Sequence, residues 1–254
     1  MMASSSRVIC ITGATSGIGK AVALRFLKEG WKVIGTGRRG GRLAEMAREA
    51  GDAFLPLEFD VSDRAAVETA FASIPAAFKP LDVLVNNAGL ALGTETVMDS
   101  SLDDWEAMID TNIKGLLYCT KAVVNDMAKR GRGYIVNIGS TAGVVPYPGG
   151  NVYGGTKAFV AHFSRNLRTD LHGTGVRVCD IQPGLLETEF STVRFKGDKD
   201  RSDALYEGTE NLEPEDIADI VHYVVTAPEH VNISVLRVLP TCQSEGPWRI
   251  HKKQ

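Results

Sequence analysis

Residues 7–30 read RVICITGATSGIGKAVALRFLKEG. A short β-branched run leads into a glycine-rich turn. A stretch with apolar residues at Ile18, Val22, Leu24, Phe26 and Leu27 follows, spaced for one face of a helix. Strand, turn and helix in that order open a βαβ unit. Gly13, Gly17 and Gly19 stand in the spacing GxxxGxG, unlike the GxGxxG of the general dinucleotide fingerprint. They meet the same need: a tight turn, and backbone open enough for a pyrophosphate to reach the N–H groups at a helix N-terminus. Thr15, Ser16 and Ile18 complete this candidate cradle. A lone glycine motif also fits an ordinary turn, but the flanking strand and helix favour the phosphate-binding reading.

The same alternation continues down the chain. Strands are predicted near 7–12, 32–36, 53–59, 81–86, 133–139, 175–182 and 234–239, with helical patterns near 17–29, 42–50, 63–74, 103–130, 152–173 and 214–227. Right-handed crossovers between such strands give a parallel sheet covered on both faces. The expected fold is therefore a single-domain α/β Rossmann fold, 1–254, with a parallel seven-stranded doubly wound sheet. Ser62 is the expected cap of the third helix, and Glu213 with Pro214 marks the start of the last. The long irregular stretch 183–213 is expected to be a lid over the ligand site.

The strand ends carry the polar residues, as ligand binding in an open parallel sheet requires. After WKVIGTG (31–37) come Arg38 and Arg39, where a site for NAD would place a carboxylate on the ribose. Two guanidiniums suit a 2′-phosphate instead, so NADP is the expected cofactor. Asp60 and Val61 end the third strand, beside the adenine. Asn86, Asn87, Ala88 and Gly89 end the fourth.

Tyr153 and Lys157 lie one helical turn apart in NVYGGTKAF, and Ser140 closes the strand-like YIVNIGS. A cation beside a phenol lowers its pKa and makes it a usable acid or base, and a serine hydroxyl could hold the substrate oxygen.

With these motifs in this order, the chain resembles the short-chain dehydrogenase/reductase family from about Val8 to Leu239. The resemblance implies that Tyr153 exchanges the substrate proton and that Lys157 holds the nicotinamide ribose. It also implies that Ser140 orients the carbonyl and that Asn112, in DTNIKG, supports a water relay. Pro183, Gly184 and Thr188 join the cofactor site by the same likeness. The segments NNAGLALG, PYPGGNVYG and FSTVRFKGD are similar to those of NADP-dependent 3-hydroxy acid dehydrogenases. That group oxidises serine and allo-threonine and reduces malonic semialdehyde. A sister group reduces sulfoacetaldehyde to isethionate and shares nearly all of these segments. The chain departs from the 3-hydroxy acid pattern at GLLETEF (184–190), GVV (143–145) and GPWRIHKKQ (246–254).

Arg194 in the lid is the candidate clamp for an anionic substrate, a carboxylate or a sulfonate, with Lys196 as the fallback. The C-terminal tail, about 240–254, carries Trp248, Arg249, His251, Lys252 and Lys253, which could reach a neighbouring subunit of a homotetramer. His162, His172, His222 and His230 lack metal spacing and read as structural. A net charge of −3 gives no basic field for nucleic acid or membrane, and four scattered cysteines suit a reducing compartment. With no charged segment in MMASSS and no long apolar run, the expected location is cytoplasmic. A catalytically silent NADP-binding sensor is the alternative from another class. Consumption of NADPH, as opposed to its mere binding, separates the two.

Overall fold

The computed structural model describes residues 7–246. Strands β1 (Val8–Ile11), β2 (Lys32–Gly37), β3 (Phe54–Glu58), β4 (Val83–Asn86), β5 (Gly133–Ile138), β6 (Val176–Pro183) and β7 (Val235–Val238) pair in parallel as one sheet. Their order is β3-β2-β1-β4-β5-β6-β7, so the direction of winding reverses between β1 and β4. The strand ends splay apart at that switch point and leave a crevice.

Helices α1 (Gly17–Lys28), α2 (Gly40–Ala50) and α9 (Pro214–Thr226) flank the strands, as do α3 (Arg64–Ala72), α5 (Leu116–Arg130) and α6 (Asn151–Asp170). Two apolar clusters lie against the sheet. One holds Phe26, Val22, Ile11 and Val221, and the other holds Cys10, Val67, Met127 and Leu167. Strands buried on both faces read as continuous apolar runs, as VICI does at β1. Leu24 departs from its expected place and is 44% exposed, because the buried face of α1 runs through Ala21, Val22, Ala23 and Phe26. Cys10, Cys119 and Cys179 are buried free thiols, while Cys242 is half-buried.

Three further expectations are corrected. Asp63, not Ser62, caps α3, its carboxylate accepting from Ala66 N at 3.1 Å, while Ser62 donates to Asp60. The stretch expected as one helix over 103–130 is divided into α4 (Leu102–Ile109), a wider π-helical turn (Asp110–Gly115) and α5. The extra residue in that turn re-aims the side chains around Asn112. The stretch 183–213 is not irregular, since it contains α7 (Glu189–Arg194) and α8 (Lys199–Ala204), capped by Thr188 and Asp198. Leu186 pairs with Leu212 at its base, and the Tyr206 hydroxyl donates to Leu186 O at 3.0 Å. The tail residues Trp248, Arg249, His251, Lys252 and Lys253 lie outside the described residues.

Candidate active site

The crevice at the switch point is a cleft of about 340 Å³. It collects residues from six strand ends and the lid. The turn after β1 supplies Gly13, Thr15, Ser16, Gly17 and Ile18. Gly13 and Gly17 hold φ of +70° and +49°, a region that side chains disfavour. Gly19 stands behind the turn, where a Cβ would come within 2.3 Å of Gly13 O and 2.4 Å of Asn87 Nδ2. No side chain caps the first turn of α1, so its N–H groups suit an anion, and the cradle fits a pyrophosphate. Asn87 fastens the turn from the next strand, its Nδ2 donating to Thr12 O at 2.8 Å.

Arg38, Arg39, Asp60, Val61, Ala88 and Gly89 line the same cleft. Arg38 faces the Asp60 carboxylate at 3.6 Å, and Arg39 reaches back to the Thr15 and Ser16 hydroxyls at 2.7 and 2.6 Å. The other wall holds Ser140, Tyr153, Lys157, Pro183, Gly184 and Thr188.

Tyr153 and Lys157 both project from α6 and both are buried. The Lys157 ammonium lies 5.9 Å from the centre of the tyrosine ring and donates to Ile138 O at 2.8 Å. Burial pushes the Lys157 pKa down to about 8, against a partial restoring effect from Asp180. Burial likewise raises the Tyr153 pKa well above its ordinary value, aided by Tyr147, while the Ser140 hydroxyl and the Arg194 guanidinium act in the opposite sense. The expected lowering by Lys157 is thereby corrected: burial dominates the phenol, and the influences that lower it come from Ser140 and Arg194.

Asn112 is buried behind the cleft. Its amide accepts from Leu90 N and donates to Leu90 O, both at 2.8 Å, and donates to Thr156 Oγ1 at 3.0 Å. Arg194 ends α7, the helix whose Glu189, Phe190 and Val193 line the cleft. Its Nε donates to Gly93 O at 3.1 Å, its Nη2 donates to the Tyr147 hydroxyl at 2.9 Å, and its guanidinium carbon lies 5.8 Å from the Tyr153 ring centre. Lys196 is turned away to Asp104, at 2.7 Å.

Sequence reasoning missed Glu189, Phe190 and Val193, lid residues that line the cleft. Phe190 packs 5.7 Å from Tyr153, ring centre to ring centre. Thr188 followed by Glu189 was a legible helix start, a capping hydroxyl and an acidic first turn. Among the described residues, no group of three His, Cys, Asp or Glu side chains is placed to hold a metal ion.

A dinucleotide-shaped crevice at a sheet switch point, with Ser, Tyr and Lys on one wall, defines a dehydrogenase of the Rossmann class. The short chain dehydrogenase family model matches residues 7–199, and the chain belongs to that family. It is 55% identical to the NADP-dependent 3-hydroxy acid dehydrogenase YdfG of Salmonella typhimurium, over 96% of this chain and 99% of that relative. To the serine 3-dehydrogenase of Agrobacterium fabrum it is 50% identical, over 98% of this chain and 99% of the relative. The solved closed form of serine dehydrogenase complexed with NADP+ superposes with a TM-score of 0.93 at 53% identity, covering 97% of this chain and 100% of the other.

Proposed function

We propose that the protein is an NADP-dependent oxidoreductase that interconverts a small hydroxy acid and its aldehyde or oxo acid. The observation that carries this reading is the placing of the Arg194 guanidinium 5.8 Å from the ring of Tyr153, which lines the cleft together with Ser140 and Lys157. An anionic end held by Arg194 puts the other end of a three-carbon substrate against Tyr153. Binding energy remote from the reacting carbon then orients it. The names of the relatives, which specify 3-hydroxy acids and serine, support a carboxylate at that end.

Bound nicotinamide supplies or takes the hydride. Tyr153 exchanges the proton at the substrate oxygen, and the Ser140 hydroxyl holds that oxygen in place. The Lys157 ammonium, 5.9 Å from the ring centre, is the cation on the same helix that a phenolate would face as it forms. Asn112 fixes the Leu90 backbone beside Gly89 and keeps this wall rigid. Phe190 and Val193 of the lid exclude water from the reacting carbon.

Self-association as a homotetramer belongs to the same proposal and is supported by exposed apolar side chains at Val97, Met98 and Leu102, at or just before the start of α4. A cytoplasmic location is proposed with it. No helix among the described residues is long and apolar enough to cross a membrane.

The test is kcat/KM for serine, 3-hydroxypropionate, malonic semialdehyde, sulfoacetaldehyde and isethionate with NADP(H) and NAD(H), on the parent and on Tyr153→Phe. Carboxylates are expected to lead, with NADP(H) preferred. The Phe variant should lose about 10²–10⁴-fold in kcat while still binding NADPH. Near-normal turnover in that variant, or a lead for the sulfonates, would sink the corresponding part of the reading.

A further inference from the structure

The basic turn after β2 does not stand alone. Glu189, the first residue of α7 in the lid, sets its carboxylate on two guanidiniums, accepting from Arg39 Nη1 at 2.7 Å and from Arg42 Nη1 at 2.9 Å. Four hydrogen bonds already engage Arg39: two to Thr15 Oγ1, one to Ser16 Oγ and the one to Glu189. A guanidinium has five N–H donors, so little of this fork remains for another anion. The arginines hold the Glu189 carboxyl below its ordinary pKa, and it is ionised at neutral pH.

We propose that Glu189 is a specificity-determining residue for the cofactor: its carboxylate holds Arg39, one of the two guanidiniums assigned to a 2′-phosphate, together with Arg42 beside it, so a 2′-phosphate displaces it from Arg39 and a 2′-hydroxyl does not. A carboxylate and a phosphate are alternative partners for one arginine fork. The phosphate brings about −1.5 to −2 charges and three acceptor oxygens, against one charge and two oxygens for the carboxylate, so it wins the exchange. A ribose hydroxyl brings no charge and leaves the ion pairs standing. Because Glu189 begins the helix that ends at Arg194, the exchange also releases the lid's first turn from the adenosine end of the cleft.

The ion pairs are half-exposed, with side-chain accessibilities of 43% for Arg39, 46% for Arg42 and 48% for Glu189, which bounds the effect. Calorimetric titration of the purified protein and of Glu189→Gln with 2′,5′-ADP, ADP, NADPH and NADH tests the idea without turnover. The Gln variant should bind 2′,5′-ADP and NADPH about three- to tenfold tighter, with ADP and NADH unchanged. In the unaltered protein, hydrogen exchange across residues 189–194 should be faster with 2′,5′-ADP than with ADP. Equal gains for all four ligands, or none, overturn the proposal. Weaker NADPH binding in the Gln variant also overturns it and makes Glu189 a clasp over bound cofactor. Should the variant fail to fold, identical exchange with 2′,5′-ADP and ADP is sufficient to reject it.

Discussion

Burial moves the pKa values of Tyr153 and Lys157 on α6 toward their neutral forms, and for the lysine it does so at a cost. Lys157 sits near pKa 8 in the folded chain against an ordinary 10.5, so the folded state binds fewer protons than the unfolded one between those values. Stability from this group is therefore lowest below about pH 8 and recovers as pH rises toward 10.5. The gap corresponds to about 3 kcal/mol. Lys157→Met should raise the melting temperature at pH 7, with the advantage shrinking as pH climbs to 10, even though activity is lost. A variant that melts lower than the parent at every pH would show that the bond to Ile138 O outweighs burial. Arg194→Met deletes the cation and keeps much of the stem. It should cut kcat/KM for an anionic aldehyde by about tenfold or more and leave a neutral aldehyde of similar size nearly unchanged. Equal losses would assign Arg194 to holding Gly93 and Tyr147. Ser140, Tyr153 and Lys157 were legible because their chemistry shows in residue type and spacing. Glu189 was not, because its meaning comes from Arg39, 150 residues away in sequence.

At the scale of elements, the glycines separate into those that packing demands and those it does not. A methyl at Gly19 meets backbone at 2.3 Å, whereas at Gly155, in the exposed part of α6, nothing lies within 4 Å. Gly19→Ala should destabilise by about 1–3 kcal/mol and weaken NADPH binding, while Gly155→Ala should stabilise by about 0.5–1 kcal/mol. Thermal melts with and without NADPH check both. Every strand was legible to within two residues, most plainly where a fully buried run is apolar throughout, as at Val8–Ile11. The break after α4 was not. Asp-Thr-Asn-Ile-Lys-Gly has ordinary helical character, and the wide turn is set by Asn112 reaching Leu90 and Thr156 on other elements. The lid helices α7 and α8 are six residues each, too short for an apolar period to show, and only their capping Thr188 and Asp198 announced them.

Over the whole molecule, one sheet gathers the cofactor turn, the reactive wall and the first residues of the stretch 183–213 along the carboxyl edge of its strands. The apolar side chains of Met98 and Leu102 are 83% and 68% exposed and available to meet a second chain. Met98→Glu with Leu102→Glu should lower the mass seen by light scattering while leaving the fold intact; an unchanged mass would move the contact elsewhere. The sulfur atoms carry a different kind of information. Cys10, Cys119 and Cys179 are buried, and burial drives their pKa values upward, Cys119 and Cys179 to about 12. Thiolate, the form that attacks an electrophile, is therefore scarce at all three. Cys242 is partly open to solvent, its thiol donating to the carbonyl of Glu210. A brief maleimide pulse then labels a folded chain once, near the base of the lid, and an unfolded chain four times, so intact mass alone counts the molecules that have opened.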